Sequence, residues 1–350
     1  MLQPLTRLAV SLNTLPMEAG QVDTLPADAG WQFEPKWDGF RCLAFRDGDT
    51  VELRSKSGKT LTRYFPDIAA ALLASPVKRF ALDGELAIPV GDALSFDALQ
   101  LRLHPAESRV RKLAAETPAI YILFDILLTL DNKSLVAAPL RERREALEHL
   151  YRRLRPIPSL RLSPYTQDVR ESRRWLAHSG GSLDGVIAKR IDEPYLPGER
   201  AMLKVKSLRT ADCVVGGFRY AEKSAEVGSL LLGLYDEEGM LNHVGFTSGF
   251  ADMDRTALTR QLEKLRRPPG FTGKAPGGPS RWSTERSGEW EPLAPKLIAE
   301  VRYDHVSGDR FRHGTKFLRW RPDKSPKQCT FDQLQREARP AKLVSQVLDA

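Results

Sequence analysis

The sequence predicts an α+β chain in two domains: residues 1–208 as a mixed domain built on antiparallel sheets, then residues 209–350 as a five-strand barrel of the OB kind. Three observations carry that reading. Asp47-Gly48 lies between two apolar runs, the two-residue signal of a β-hairpin. Leu140, Leu147, Leu150, Tyr151 and Leu154 recur on one helical face, with Arg and Glu elsewhere. Near Ser207-Leu208-Arg209 the texture changes to short strands with one helix and a polar loop among them, which fits a barrel with an inserted helix.

Taken in order, residues 1–30 are a short lead carrying Pro4, Pro16 and Pro26. Residues 40–45 and 51–55 are the strands of the hairpin, 67–74 an apolar helix and 81–88 a strand. Residues 139–154 form the helix with the leucine face, and 186–189 and 202–206 are strands. Residues 211–247 give short strands with turns at Gly216-Gly217 and Glu238-Gly239. A helix at 252–266 precedes a loop at 267–290, rich in Pro, Gly, Ser and charge, that reads as mobile. Strands at 298–304 and 314–321 complete the barrel. No internal repeat of about 20–50 residues is present.

The length of 350 residues suits two domains of roughly 100–200 residues each. A hydrophobic content of 41% is enough to fill their cores. No apolar run reaches the ~18 residues of a membrane span, and the N-terminus lacks a secretory h-region. Cys42, Cys213 and Cys329 are odd in number and widely spaced, which suits a reducing cytoplasm and neither a disulfide framework nor a zinc site. A net charge of +8 favours a polyanionic partner without telling DNA from RNA. The histidines show no triad or metal spacing.

Chemistry concentrates first in Glu34-Pro35-Lys36-Trp37-Asp38-Gly39-Phe40-Arg41. A lysine followed by x-Asp-Gly and an apolar strand can present one amine to a phosphate ester. The amine attacks only without its proton, and burial beside other cations favours that form. Alone, the motif also fits a solvated loop lysine. Further segments follow: Leu82-Asp83-Gly84-Glu85, Phe124-Asp125, Asp184-Gly185-Val186-Ile187-Ala188-Lys189, Leu203-Lys204-Val205-Lys206 and Arg319-Trp320-Arg321-Pro322-Asp323-Lys324. Lys204 and Lys206 alternate on a strand and so share a face, where two ammonium groups repel unless an anion such as phosphate lies between them. Glu85 and Asp184 each stand beside a glycine at a strand end, and hard carboxylate oxygens suit a hard cation.

In this order the segments resemble the motifs of the covalent nucleotidyltransferases, and specifically the short bacterial ATP-dependent DNA ligases of the LigC type. The likeness runs from residue 36 to residue 324. It implies a nucleotidyltransferase (adenylation) domain followed by an OB domain. ATP is the implied cofactor, with Mg²⁺ or, alternatively, Mn²⁺. The implied partner is nicked duplex DNA, with end-joining or excision-repair proteins beyond it, for a monomer at the bacterial nucleoid. Lys36 would take AMP from ATP, and Lys204 and Lys206 would serve the phosphates. Glu34 would read the adenine edge, Arg41 would contact ribose and phosphate, and Lys189 would complete the cationic set. Phe124 would stack on the purine, with a core phenylalanine as the alternative reading. Trp37 reads as packing. Glu85 would serve ribose and metal, and Asp184, where many relatives carry Glu, would serve metal. Arg321, Asp323 and Lys324, beside Arg319, would swing over the ATP site for the first step only.

One departure concerns Ser55-Lys56-Ser57-Gly58, where relatives often carry arginine at the Lys56 position. Lysine lacks the planar two-point grip of arginine. Either Lys56 makes a weaker contact to the nick or Arg54 or Arg63 compensates. The alternatives to a DNA ligase are an RNA ligase or a capping-type guanylyltransferase, and a non-catalytic OB-type nucleic-acid binder.

Overall fold

In the computed structural model the chain divides after Ser207 into one unit of residues 1–207 with 339–350 and another of residues 208–338. The structure describes residues 4–91, 93–154, 157–177, 183–207, 209–250, 253–277, 289–304, 306–335 and 347. The second unit thus ends before the chain does: Val347 packs in a cluster with Trp37, Phe124 and Leu183 of the first unit, where Arg161 Nε donates to its carbonyl at 2.7 Å.

The first unit begins with β1 (Ala19–Gln21), β2 (Trp31–Trp37), β3 (Phe40–Asp47), β4 (Thr50–Ser55), α1 (Pro66–Ala74), β5 (Arg79–Ala87) and the short pair β6 (Pro89–Val90) and β7 (Ala93–Leu94). It continues with α2 (Phe96–Leu101), α3 (Glu107–Glu116), β8 (Ile120–Leu128), α4 (Leu140–Leu154), β9 (Leu160–Leu162), α5 (Val169–Ala177), β10 (Leu183–Arg190) and β11 (Met202–Lys206). One sheet has the order β4-β3-β5-β8-β9, the other β1-β11-β10-β2. The expected antiparallel pairing holds except at one edge of each sheet, where β9 runs parallel to β8 and β1 parallel to β11. The first parallel pair follows from the α4 crossover, which returns the chain in its original direction.

The lead is therefore not loose: Ala19 pairs with Met202. The strand at 31–37 also escapes sequence reading, because Pro35 argues against one; β2 is an edge strand, where proline is tolerated. On α4 the leucine face is buried as expected, but Arg143 and Arg144 are buried on it as well. One face of the larger sheet packs on α1 and α4 through Phe65, Ile68, Leu72, Leu147 and Leu150. Leu43, Phe45, Leu127 and Tyr195 fill a second cluster with Met202 of the smaller sheet.

The second unit contains β12 (Arg209–Tyr220), β13 (Val227–Tyr235), β14 (Leu241–Thr247), α6 (Arg255–Glu263), β15 (Glu291–Pro292), β16 (Ile298–Tyr303), the hairpin β17 (Val306–Ser307) and β18 (Arg310–Phe311), and β19 (Lys316–Trp320). Its main strands run in the order β14-β13-β12-β16-β19. The outer two meet: Thr247 and Thr315 form a parallel bridge and Thr315 N donates to Phe246 O at 3.1 Å. Five strands in this ring order, with a helix between the third and fourth, are the OB pattern.

Gly216-Gly217 is not a turn. β12 runs straight through it with a register shift, and the glycines are there for close packing. A Cβ on Gly216 would lie 2.7 Å from the ring of Phe271, and one on Gly217 2.6 Å from that of Trp290. Part of the segment expected to be mobile, residues 278–288, lies outside the described residues, as do Asp252 and Leu208. Phe271, within that segment, is buried in the core. α6 starts later than expected, at the Asp254 cap, whose side chain accepts from Ala257 N at 3.0 Å.

Candidate active site

β10 lies between β2 and β11, and the register decides what meets what. Lys36 and Lys206 both stand opposite Gly185, Glu34 and Lys204 both opposite Ile187, and Gln32 opposite Lys189. With a side-chain period of two, these residues share one face. Across from it, Arg41 and Glu85 are direct partners on β3 and β5 and also share a face. Between them lies a cavity of about 890 Å³, lined among others by Glu34, Lys36, Arg41, Lys56, Arg63, Glu85, Phe124, Lys189 and Lys204. That is ample for a nucleoside triphosphate. Gly39 lets the chain turn beside Lys36: a Cβ there would fall 2.3 Å from Leu86 O and 2.8 Å from Glu85 Cγ.

Two site residues sit on β-bulges, which re-aim side chains. The β10–β2 register slips between Leu183 and Gly185, so Asp184 is an extra residue turned toward the lysines. The β5–β8 register slips between Asp83 and Gly84, so Phe124 is extra there, and it and Asp125 bear on the same lysine. Strand alternation in the sequence cannot reveal either.

Asp184 Oδ2 lies 2.5 Å from Lys36 Nζ and 3.3 Å from Lys206 Nζ. Sequence reading assigned Asp184 to metal and did not foresee this pairing. Burial, then the charges of Lys36, Lys206 and Lys56, hold Lys204 below the ordinary lysine value. Burial pushes the Glu85 carboxyl up to about 8, against the pull of Arg41 and Lys36.

Arg41 is fixed by residues the sequence did not single out. It forks onto Asp83 at 2.6 and 2.7 Å, and Tyr195 donates to the same carboxylate at 2.6 Å while accepting from Met17 N at 2.9 Å. Arg41 and Lys189 both lie over the Phe124 ring, at 4.6 and 4.9 Å. Phe124 thus belongs both to a buried cluster and to the cavity wall. Trp37 packs as expected, with Nε1 donating to Ser163 Oγ at 2.9 Å.

Glu34 is buried with both oxygens occupied. Gln32 Nε2 donates to Oε1 at 2.7 Å, and Lys189 Nζ stands 2.8 Å from Oε2. The lysine lies off the hydrogen-bond direction and is held by charge. It also stands 4.0 Å from Asp125, which Arg143 holds at 2.8 and 3.1 Å.

At the cavity rim, Lys56 pairs with Glu18 at 3.0 Å and remains largely exposed. Arg63 donates to Pro105 O at 2.7 Å and lies over Tyr64. Arg54 is spent on its own hairpin, paired with Glu52 and donating to Gly58 O, both at 2.9 Å. Lys59, which the sequence reading passed over, lines the cavity and is exposed. On the second unit, Arg321 gathers Asp323 at 2.7 Å and Asp212 at 2.9 Å, Lys324 also pairs with Asp212, and Arg319 donates to Glu300 at 2.6 Å. A hydrogen bond from Arg321 holds the Asp323 carboxyl down to about 2.

The donors fit a hard divalent cation shared with its ligand. Among the described residues no group of three or more His, Cys, Asp or Glu is gathered as a metal nest. Glu34 and Asp83 are taken by cations and hydrogen bonds; Glu85, and Asp184 on release from Lys36 and Lys206, could supply oxygen ligands alongside phosphate and water, the usual arrangement for Mg²⁺.

The chain matches the ATP dependent DNA ligase domain over residues 16–206 and the ATP dependent DNA ligase C terminal region over residues 223–324. It is 46% identical over 330 residues to DNA ligase C1 of Mycolicibacterium smegmatis, covering 91% of this chain and 93% of that protein. It is 43% identical over 346 residues to DNA ligase C of Mycobacterium tuberculosis, covering 94% and 96%. Its fold is similar to that of a solved Lig E DNA ligase, with a TM-score of 0.55 at 18% identity over 88% of this chain and 99% of that one.

Proposed function

The chain belongs to the ATP-dependent DNA ligase family, and on that premise we propose which of its residues carry the reaction. Lys36 is the nucleophile. Its Nζ lone pair forms a bond to the α-phosphorus of ATP while the bond to the pyrophosphate oxygen breaks. The adenylate then passes to the 5′-phosphate of a nick, breaking the P–N bond. The 3′-hydroxyl, losing its proton, attacks the phosphorus of the nick's 5′-phosphate, forms the phosphodiester and breaks the bond to AMP, which leaves. The single observation that supports Lys36 is its company from three other strands: Asp184 pairs with both Lys36 and Lys206, and Lys204 and Glu85 line the same cavity as Lys36.

Glu34 takes the 6-amino edge of adenine, with Phe124 beneath the base and Arg41 toward ribose. Lys204 and Lys206 carry the phosphate charge, and Lys189, 2.8 Å from Glu34, serves the base end of the nucleotide. Glu85 and Asp184 would hold Mg²⁺ or Mn²⁺, which supplies positive charge at the phosphate and gives Asp184 a partner other than Lys36. Arg321, Asp323 and Lys324 serve pyrophosphate departure in the first step. Lys56, Lys59 and Arg63 take the nick backbone. Domain boundaries at 208 and 209, work as a monomer at the nucleoid, and partners from end joining or excision repair belong to the same reading. Three buried free cysteines suit a reducing cytoplasm. Labelling with radioactive ATP tests the proposal: Lys36→Ala and Lys36→Arg should both take up nothing, since arginine stays protonated. Normal labelling of either variant would dismiss Lys36.

A further inference from the structure

We propose that Arg143, on α4, is a positioning residue that holds Glu34 in place through Asp125 and Lys189 and so sets the preference for an adenine over a guanine nucleotide. The inference rests on the reading of Glu34 given above. Arg143 is 1% exposed and does not line the cavity. Its fork takes both oxygens of Asp125, and its remaining nitrogen donates to Ala138 O at 2.7 Å and Glu193 O at 3.2 Å. Such a fixed two-point grip is what arginine offers and lysine does not.

Four charges are buried together: Glu34 and Asp125 against Lys189 and Arg143. They balance, two of each sign. Lys189 stands between the two carboxylates, 2.8 Å from Glu34 and 4.0 Å from Asp125. It stays with Glu34 because Arg143 already satisfies Asp125. Burial pushes the Asp125 carboxyl up, but Arg143 and Lys189 more than offset it, so it lies below the ordinary value. Without Arg143 the quartet carries an uncompensated negative charge in a buried place, and Asp125 draws Lys189 toward itself.

That movement reaches the base. A fixed carboxylate accepts from the 6-amino group of adenine and opposes the 6-oxo group of guanine, acceptor against acceptor. With Lys189 drawn to Asp125, Glu34 loses the charge that holds it and no longer keeps its acceptor fixed at that position. Discrimination built on buried hydrogen-bonding groups is lost when those groups are left loose.

The test is self-adenylylation of the full chain with α-labelled ATP and GTP over a concentration series. Arg143→Met should raise KM for ATP roughly ten-fold, the loss of about one charge-assisted hydrogen bond, with a smaller change in kcat. The ATP-over-GTP ratio should fall by a similar factor. Arg143→Lys should recover part of it. The double variant Asp125→Asn with Arg143→Met removes one charge of each sign, leaves Lys189 to Glu34, and should recover most of it. If Arg143→Met does not fold, the lysine and double variants carry the test. A lower melting temperature or kcat with unchanged KM and base preference would overturn the proposal, as would a double variant no better than the single. Glu34→Gln separates the two levels. Wild-type base preference in that variant would remove the base-reading role of Glu34 and the proposal with it. Lost preference there, with preference intact in the Arg143 variants, would sink the proposal alone.

Discussion

Lys36 Nζ and Asp184 Oδ2 stand 2.5 Å apart, brought together by a bulge in the strand that lies beside that of Lys36. The contact gives the carboxylate at this strand end a definite partner. On the proposed reading of Lys36 as nucleophile, it would hold that amine in one place and occupy it until the carboxylate finds another partner. Asp184→Asn should therefore cut self-adenylylation by about 100-fold, the usual scale for removing one preorganised charged group. Asp184→Glu should stay within about ten-fold, since the longer arm keeps charge and oxygen ligands. Radiolabel uptake checks both; an asparagine variant as fast as the parent would mean that Asp184 only packs.

Asp323 and Lys324 should matter for one step. They lie on the OB unit, where Arg321 and Asp212 hold them in a charged cluster. Asp323→Ala and Lys324→Ala should impair self-adenylylation at least ~10-fold more than sealing of a pre-adenylylated nick. Equal losses in the two assays would point to misfolding or to direct DNA contact.

Lys56 pairs with Glu18 across 3.0 Å, yet more than half of its side chain is exposed. Arginine there could keep Glu18 and still offer two aligned donors to a phosphate. Lys56→Arg should tighten nick binding about three- to ten-fold with self-adenylylation unchanged, because the gain is one charge-assisted contact. Binding should also fall steeply with salt, with a slope of log K near −0.9 for each phosphate neutralised. Gel retardation at several salt concentrations reads both; weaker binding by the arginine variant would show that the rim does not use this position.

His243 of the OB unit gives a stability signature in acid. Burial, then the neighbouring charges of Arg310 and Arg219, push its imidazole down to about 3. The unfolded chain takes up a proton near the ordinary value of about 6.5 and the folded one does not, so stability is fully present above that pH and is lost as pH falls toward 3. The contribution is at most about 1.4 kcal/mol per pH unit. Denaturant unfolding of His243→Gln should show a shallower loss between pH 6.5 and 3 than the parent chain. An identical slope would mean that the imidazole is charged in the folded protein.

Much of this was legible in the sequence, for physical reasons that can be named. The hairpin at Asp47-Gly48 and the leucine face of α4 follow from local periodicity, and both are present. Lys36 stands out through its x-Asp-Gly motif, Lys189 through the ordered motifs, and Lys204 and Lys206 through the strand alternation that places them on one face. What escaped depends on contacts distant in sequence. Asp83 and Tyr195, which fix Arg41, are 112 positions apart. The pairing of Asp184 with Lys36 and the presentation of Phe124 both rest on bulges, which alternation cannot foresee. Arg143 looked like a solvated charge beside an apolar stripe, and only its partner Asp125, on another element, explains its burial. At Gly216-Gly217 glycine was read as a turn because the rings of Phe271 and Trp290, which demand the space, come from much later in the chain.

The most direct measurement is the mass of the purified protein after incubation with ATP and Mg²⁺, followed by peptide mapping. The account requires a gain of one adenylate per chain, removable by pyrophosphate and located on Lys36 alone. An adenylate on Lys204 or Lys206, or no covalent adenylate at all, would contradict it.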